Sequence, residues 1–432
     1  MLSSFIVFEN DLNGEARTPL HKIRQEALST FEKKGFPTKR DEEWKYTNLR
    51  PVLKHDYRVL PKTEDSLEYK DVKRFFLNDA DTYKVVFING VYSSWLSDTT
   101  HQHYDICTFG SALTKFRDVV DRYFATIAPK DEPMVALNTA FAREGAFIRI
   151  PCGQVVSKPV EVVFFNTHPS AEIMLQPRNL IVVEENAQVQ IIERHQNLSE
   201  HPVLTNVVSE VFAGRNAKVD MYKVQNDVLH SNLIDNTHIA QEATSRVDIR
   251  TFSFGGNVTR NNLNFYLNEE GAESHMHGIT IIGDTQHVDH HTLADHRVPH
   301  CMSNELYKGI YDDRSQGVFN GKIIVHQDAQ KTNAFQQNNN ILLSEKASVD
   351  TKPQLEIFAD DVKCSHGCTV GQLDDEALFY LQSRGIPKRE GEALLMYAFS
   401  NEILETVRIP ELRKKLNIQI AKKLGVDIDF DL

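Results

Sequence analysis

Three short stretches, Ala187-Gln188-Val189-Gln190, Ala217-Lys218-Val219-Asp220 and Ser245-Arg246-Val247-Asp248, repeat one pattern: a small or polar residue, any residue, a valine, then Asp or Gln. Their starts lie 30 and 28 residues apart, and the pattern returns at Gln286-His287-Val288-Asp289 and Ala347-Ser348-Val349-Asp350. A repeat at such a spacing, made of short strands and polar turns, is the sequence sign of a solenoid. The intervening segments are β-branched and aromatic, as in Val160 to Phe165 and Ala187 to Ile192, with no long helical period, so the coils are expected to be strands. The asparagines at 261–262 and 338–340 are expected in turns or in stacked ladders. An antiparallel sandwich is the competing architecture, but the two-residue hairpin signals it would use are few.

Helical patterns flank the repeat. Thr18-Pro19 starts a helix with apolar positions at Leu20, Ile23, Ala27, Leu28 and Phe31, ended by Gly35 and Pro37. At the other end Asp374 caps a helix that stops at Gly385-Ile386-Pro387, and two more follow, around Glu392 to Leu404 and from Pro410 towards Gly425. The expected division is a mostly helical region 1–145, a strand-built core 146–371 and a helical tail 372–432 that caps the solenoid or docks a partner.

Composition excludes several classes. Forty-eight basic residues against 60 acidic give a net charge of −12, which disfavours nucleic acid or an anionic membrane as the main partner. No apolar run approaches the ~20 residues of a membrane span, and the N-terminus lacks the pattern of a secretion signal. Five scattered cysteines do not make a disulfide framework, so reduced thiols and a cytoplasmic location are expected.

The densest chemistry is Asp360-Asp361-Val362-Lys363-Cys364-Ser365-His366-Gly367-Cys368. On an extended strand Cys364, His366 and Cys368 share one face. Cys364 and Cys368 are then about 13 Å apart at the backbone, too far to reach one ion unless Gly367 bends the strand. Cys364 with His366 reads as a half-site completed by another chain. A second concentration, seven of the 18 histidines between His275 and His300 followed by Cys301, offers an alternative stand-alone metal site, with His275 and His277 on one face.

Taken together, the helical start with Pro37-Thr-Lys-Arg-Asp-Glu-Glu-Trp44-Lys-Tyr-Thr-Asn-Leu49, the strand repeat with Cys364-Ser-His366-Gly, and the tail with Leu381-Gln-Ser-Arg-Gly-Ile-Pro387 and Glu392-Ala-Leu-Leu resemble the SufB/SufD family of iron–sulfur cluster assembly scaffolds. The early segment and the length resemble its SufD members more than its SufB members. The resemblance implies a right-handed parallel β-helix core between helical termini, and pairing with SufB through that core. It also implies docking of the ATPase SufC on the C-terminal helices, where Arg384, Gly385, Pro387, Glu392 and Ala393 are the candidate contacts. A transient iron–sulfur cluster would be shared with SufB, with His366 and Cys364 taking part, Cys368 as an auxiliary candidate, and no permanently bound cofactor. Such a chain is a scaffold and not an enzyme, and in isolation it can form a homodimer. No phosphate-binding loop is found in it. A polysaccharide-cleaving β-helix enzyme is the remaining rival, with acidic pairs at Asp312-Asp313, Asp360-Asp361 and Asp374-Asp375.

Overall fold

The computed structural model describes residues 2–12, 18–59, 67–100, 103–168 and 170–425. From Gln188–Asn197 to Asn333–Leu342, strands of about ten residues alternate between two sheets, and each pairs in parallel with the next strand of its own sheet. Val219 therefore sits between Val189 and Val247, and Asp235 between Val207 and Asn261. The chain winds into a β-solenoid of about eight turns, which rules out the antiparallel sandwich.

The repeated motif is a corner. Asn186, Asn216 and Thr244 have φ of 57°, 57° and 54°, a left-handed step that breaks the strand. The next residue, Ala187, Ala217 or Ser245, turns inward and is completely buried, so only a small side chain fits. Gln286 and Ala347 open strands of the other sheet, which is why their starts depart from the 28 to 30 residue spacing. Inside the early coils Val189, Ile191, Val219, Met221, Val247 and Ile249 form one apolar core. The asparagines lie on strands and not in turns, and Asn262 donates to Asn236 Oδ1 of the neighbouring rung at 2.7 Å.

The N-terminal region contributes to the first coils. Tyr83–Ile88 pairs in parallel with Val160–Phe165, and Asp105–Thr108 pairs antiparallel with Ala146–Ile150. The Trp44 segment is a packing corner: the Arg260 guanidinium lies 4.0 Å above the Trp44 ring and donates to Asp289 at 2.7 Å, while Thr47 also bonds Asp289 and Glu43 pairs with His291 at 3.3 Å.

The tail forms three helices, Asp375–Ser383, Lys388–Leu404 and Pro410–Lys423. The last two turn back along the outer face of one sheet. There Met396, Ile403, Leu412, Leu416 and Ile420 pack with Tyr222, Phe252, Ile279 and Ile310. Lys415 fastens the last helix to the N-terminal region by donating to the carbonyls of Arg74 and Phe76 at 2.9 and 2.6 Å. The tail thus lies on the flank, and the final rung of the solenoid is left exposed.

Candidate functional site

That final rung is the strand Lys363–Gly371. It pairs with Asn333–Ile341 along its whole length and, among the described residues, has no second neighbour in its sheet. The pairing runs unbroken through Gly367, so the strand does not bend there, and Cys364 and Cys368 stay about 13 Å apart. In register, Cys364 lies beside Ala334, His366 beside Gln336 and Cys368 beside Asn338. Those three partners are buried interior residues, so all three candidate ligands face the bore of the solenoid at its open mouth. His366 and Cys368 are exposed, and Cys364 is half-buried against the interior core. Burial pushes the Cys364 thiol up, so it is a weaker ligand until a metal or cation displaces its proton. Around the mouth, Phe335, Ile357, Phe358 and Val370 are exposed apolar side chains.

One rung further in, Gln336 Nε2 donates to Glu305 Oε2 at 2.7 Å. Glu305 is fully interior, and burial pushes its carboxyl up to about 7. Neither residue stands out in the sequence. Stepping back from His366 by one coil length at a time would have found them, at 30 and then 31 residues.

The histidine stretch does not converge. His290 and His296 point inward, bonded to Thr280 at 2.9 Å and Ser303 at 2.8 Å. His287 and His291 lie on the outer face of the same strand, beside Thr47 and Asp289. His275 and His277 share a face as expected, with ring centres 6.4 Å apart, but on the outside of the other sheet. His300 takes a left-handed turn conformation, and Cys301 is buried in the interior core. The alternation of strand faces splits a contiguous run into separate surroundings, so the stand-alone metal site is not assembled. Among the described residues no three His, Cys, Asp or Glu side chains are grouped to hold a metal ion.

The acidic pairs serve turns and caps. Asp313 Oδ2 accepts from the Asp284 amide at 2.8 Å, Asp361 pairs with Lys331, and Asp374 Oδ1 accepts from the amides of Glu376 and Ala377 at 2.9 and 3.2 Å. On the tail, Arg384, Gly385 and Pro387 are exposed and Glu392 is half-buried, bridging to Lys388. Ala393 is 1% exposed beneath its helix and is corrected from a surface contact to a packing residue.

Two family models cover nearly the whole chain. The one described as "SUF system FeS cluster assembly, SufBD core domain" matches residues 165–399, and the one described as "SufBD protein N-terminal region" matches residues 3–162. The chain belongs to the SufBD family. It is 36% identical to an iron–sulfur cluster assembly SufBD family protein of Synechocystis, over 94% of this chain and 91% of the relative. It is 31% identical to the iron–sulfur cluster assembly protein SufD of Escherichia coli, over 96% and 95%, and 28% identical to SufD of Bacillus subtilis, over 73% and 72%. This SufBD protein is thus SufD-like and takes part in iron–sulfur cluster assembly. No helix among its described residues is long and apolar enough to cross a membrane.

Proposed function

We propose that this chain is a non-catalytic scaffold subunit that pairs with SufB through the open end of its solenoid and offers His366, with Cys364, to a nascent iron–sulfur cluster held between the two chains. The single observation that carries this reading is the last rung. Among the described residues Lys363–Gly371 has one strand neighbour, an unpaired edge and interior-facing ligand residues open to solvent. Unpaired edges rimmed by apolar side chains are templates for another chain. A neutral imidazole and a thiol on one strand fill only part of the four-coordinate shell that iron–sulfur clusters use, so a second chain is needed for the rest. Cys368, further along the same face, is an auxiliary position. Without SufB, the same edge suits a second copy of this chain.

ATP coupling belongs to SufC, docked on the tail. The exposed Phe379 and Tyr380, with Arg384, Gly385 and Pro387, give that tail an apolar and basic face away from the solenoid. Movement of helices fastened to the flank would reach the mouth through the short Gln372–Asp374 link.

Anaerobic cluster reconstitution of this chain co-expressed with SufB and SufC tests the reading, with iron, sulfide and visible absorption recorded for wild type and His366→Ala. Size exclusion checks that each complex assembles. A fall in cluster yield with an intact complex is the expected result. An unchanged yield would make His366 structural.

A further inference from the structure

The mouth of the solenoid has a polar column beneath it. His366 pairs with Gln336, Gln336 with Glu305, and Glu305 with Met276. Parallel rungs stack about 4.8 Å apart, so these four side chains follow one another down one interior face. Met276 is apolar and fully buried, as are Ile249 and Met221 below it, so the column ends at Glu305. Gln336 reaches across the bore to the opposite sheet, where Gly321 leaves the room: a Cβ at Gly321 would overlap the Gln336 amide. Its Nε2 is committed to Glu305 Oε2 at 2.7 Å. Its Oε1 is buried and without a hydrogen-bond partner among the described residues, one rung below His366. A buried acceptor left without a donor is destabilising, so a donor arriving beside it is favoured. In register, the residue above it is an exposed histidine, whose ring carries an N–H donor.

The geometry points to Gln336 and Glu305 as a positioning pair for His366: when iron is loaded, the imidazole N–H donates to Gln336 Oε1, and Glu305 holds the amide so that its oxygen and not its nitrogen faces the ring. This rests on His366 being a ligand, as proposed above. A bond from one ring nitrogen sets the tautomer and leaves the lone pair of the other for the metal, and removing such partners typically costs 10–100-fold in metal affinity.

The test measures the iron concentration that gives half-maximal cluster yield in the assembled complex. Gln336→Leu removes the acceptor and is expected to raise that concentration about tenfold. Gly321→Ala displaces the amide without altering a polar group and is expected to do the same. Exchanging the two residues, Glu305→Gln with Gln336→Glu, keeps their bond and an oxygen facing His366, and is expected to restore loading. A purely structural role would lower the denaturation midpoint of Gln336→Leu while leaving the half-maximal iron concentration of the assembled complex unchanged. Should Gln336→Leu fail to fold, Gly321→Ala and the exchange carry the comparison. Wild-type loading in Gly321→Ala, or no rescue by the exchange, overturns the positioning pair while His366→Ala still abolishes the cluster. A harmless His366→Ala instead overturns the reading beneath it.

Discussion

Arg408 bonds both carboxylate oxygens of Asp220 at 2.9 Å across 188 residues, clasping the tail to the solenoid flank. Arg408 is 44% exposed, so solvent screens the pair and it is worth at most about 1 kcal/mol. Ile403 and Leu416 beside it are completely buried, and truncating either to alanine costs about 2–5 kcal/mol. Apolar burial therefore outweighs the clasp. Hydrogen exchange is expected to register loosening of the two C-terminal helices in Ile403→Ala and little change in Arg408→Ala. The reverse order would mean that the ion pair holds the tail.

The N-terminal region depends on a buried charge. Asp289 is fully buried, and although burial opposes its ionisation, His291 and Arg260 hold its carboxyl well below the usual range. Asp289→Ala leaves Arg260 unpaired under Trp44 and is expected to cost about 3–5 kcal/mol, read as a fall in the denaturation midpoint. Asp289 is stabilising above the unfolded pKa of about 3.9, and that contribution is lost as pH falls towards its depressed native value.

Buried histidines and buried acids oppose each other in pH dependence. Burial pushes His238, His277, His290 and His296 from 6.5 down to about 4, so each contributes stability above 6.5 that is lost as pH falls through about 4. Burial pushes Glu132 and Glu305 up to about 7 and Asp227 up to about 6, so these contribute stability at low pH that is lost as pH rises through those values. At about 1.4 kcal/mol per pH unit per proton, the three acids offset three of the four histidines between about pH 6 and 4.5, so stability falls there by the equivalent of one proton. Denaturation midpoints are expected to fall gently over that interval and more steeply below about pH 4.5, where the glutamates stop compensating. A steep fall starting at pH 6 would show that the acids do not compensate.

In the proposed function the mouth is a surface of association. Phe358 and Val370 are 62% and 47% exposed, so Phe358→Asp with Val370→Asp should change this chain's stability by no more than about 0.5 kcal/mol per site. Size exclusion with SufB is expected to reveal loss of the complex. An intact complex would move the contact elsewhere.

The outward histidines should be dispensable for the cluster. Replacing His275 and His277 together by alanine is expected to leave iron and sulfide content unchanged in the complex, because they stand on the outer sheet face, away from the mouth. A drop in iron without loss of complex would return them to the site.

Much of the fold is legible in the residues. The recurring Ala-x-Val-Asp pattern marks corners because only a small side chain fits inside a left-handed turn, and Asp374, Gly385 and Pro410 mark helix ends by capping rules that act within a few residues. The face shared by Cys364, His366 and Cys368 also follows from strand alternation alone. Local sequence could not tell that the tail would lie along the flank, since an apolar helix face fits any apolar surface of the right shape. Nor could it scatter the His275 to His300 run, pair Asp289 with Arg260 and Thr47, or stack Glu305 and Gln336 beneath His366. Those relations depend on which coil lies beside which, a matter of register over about 30 residues, and only the wound chain decides it.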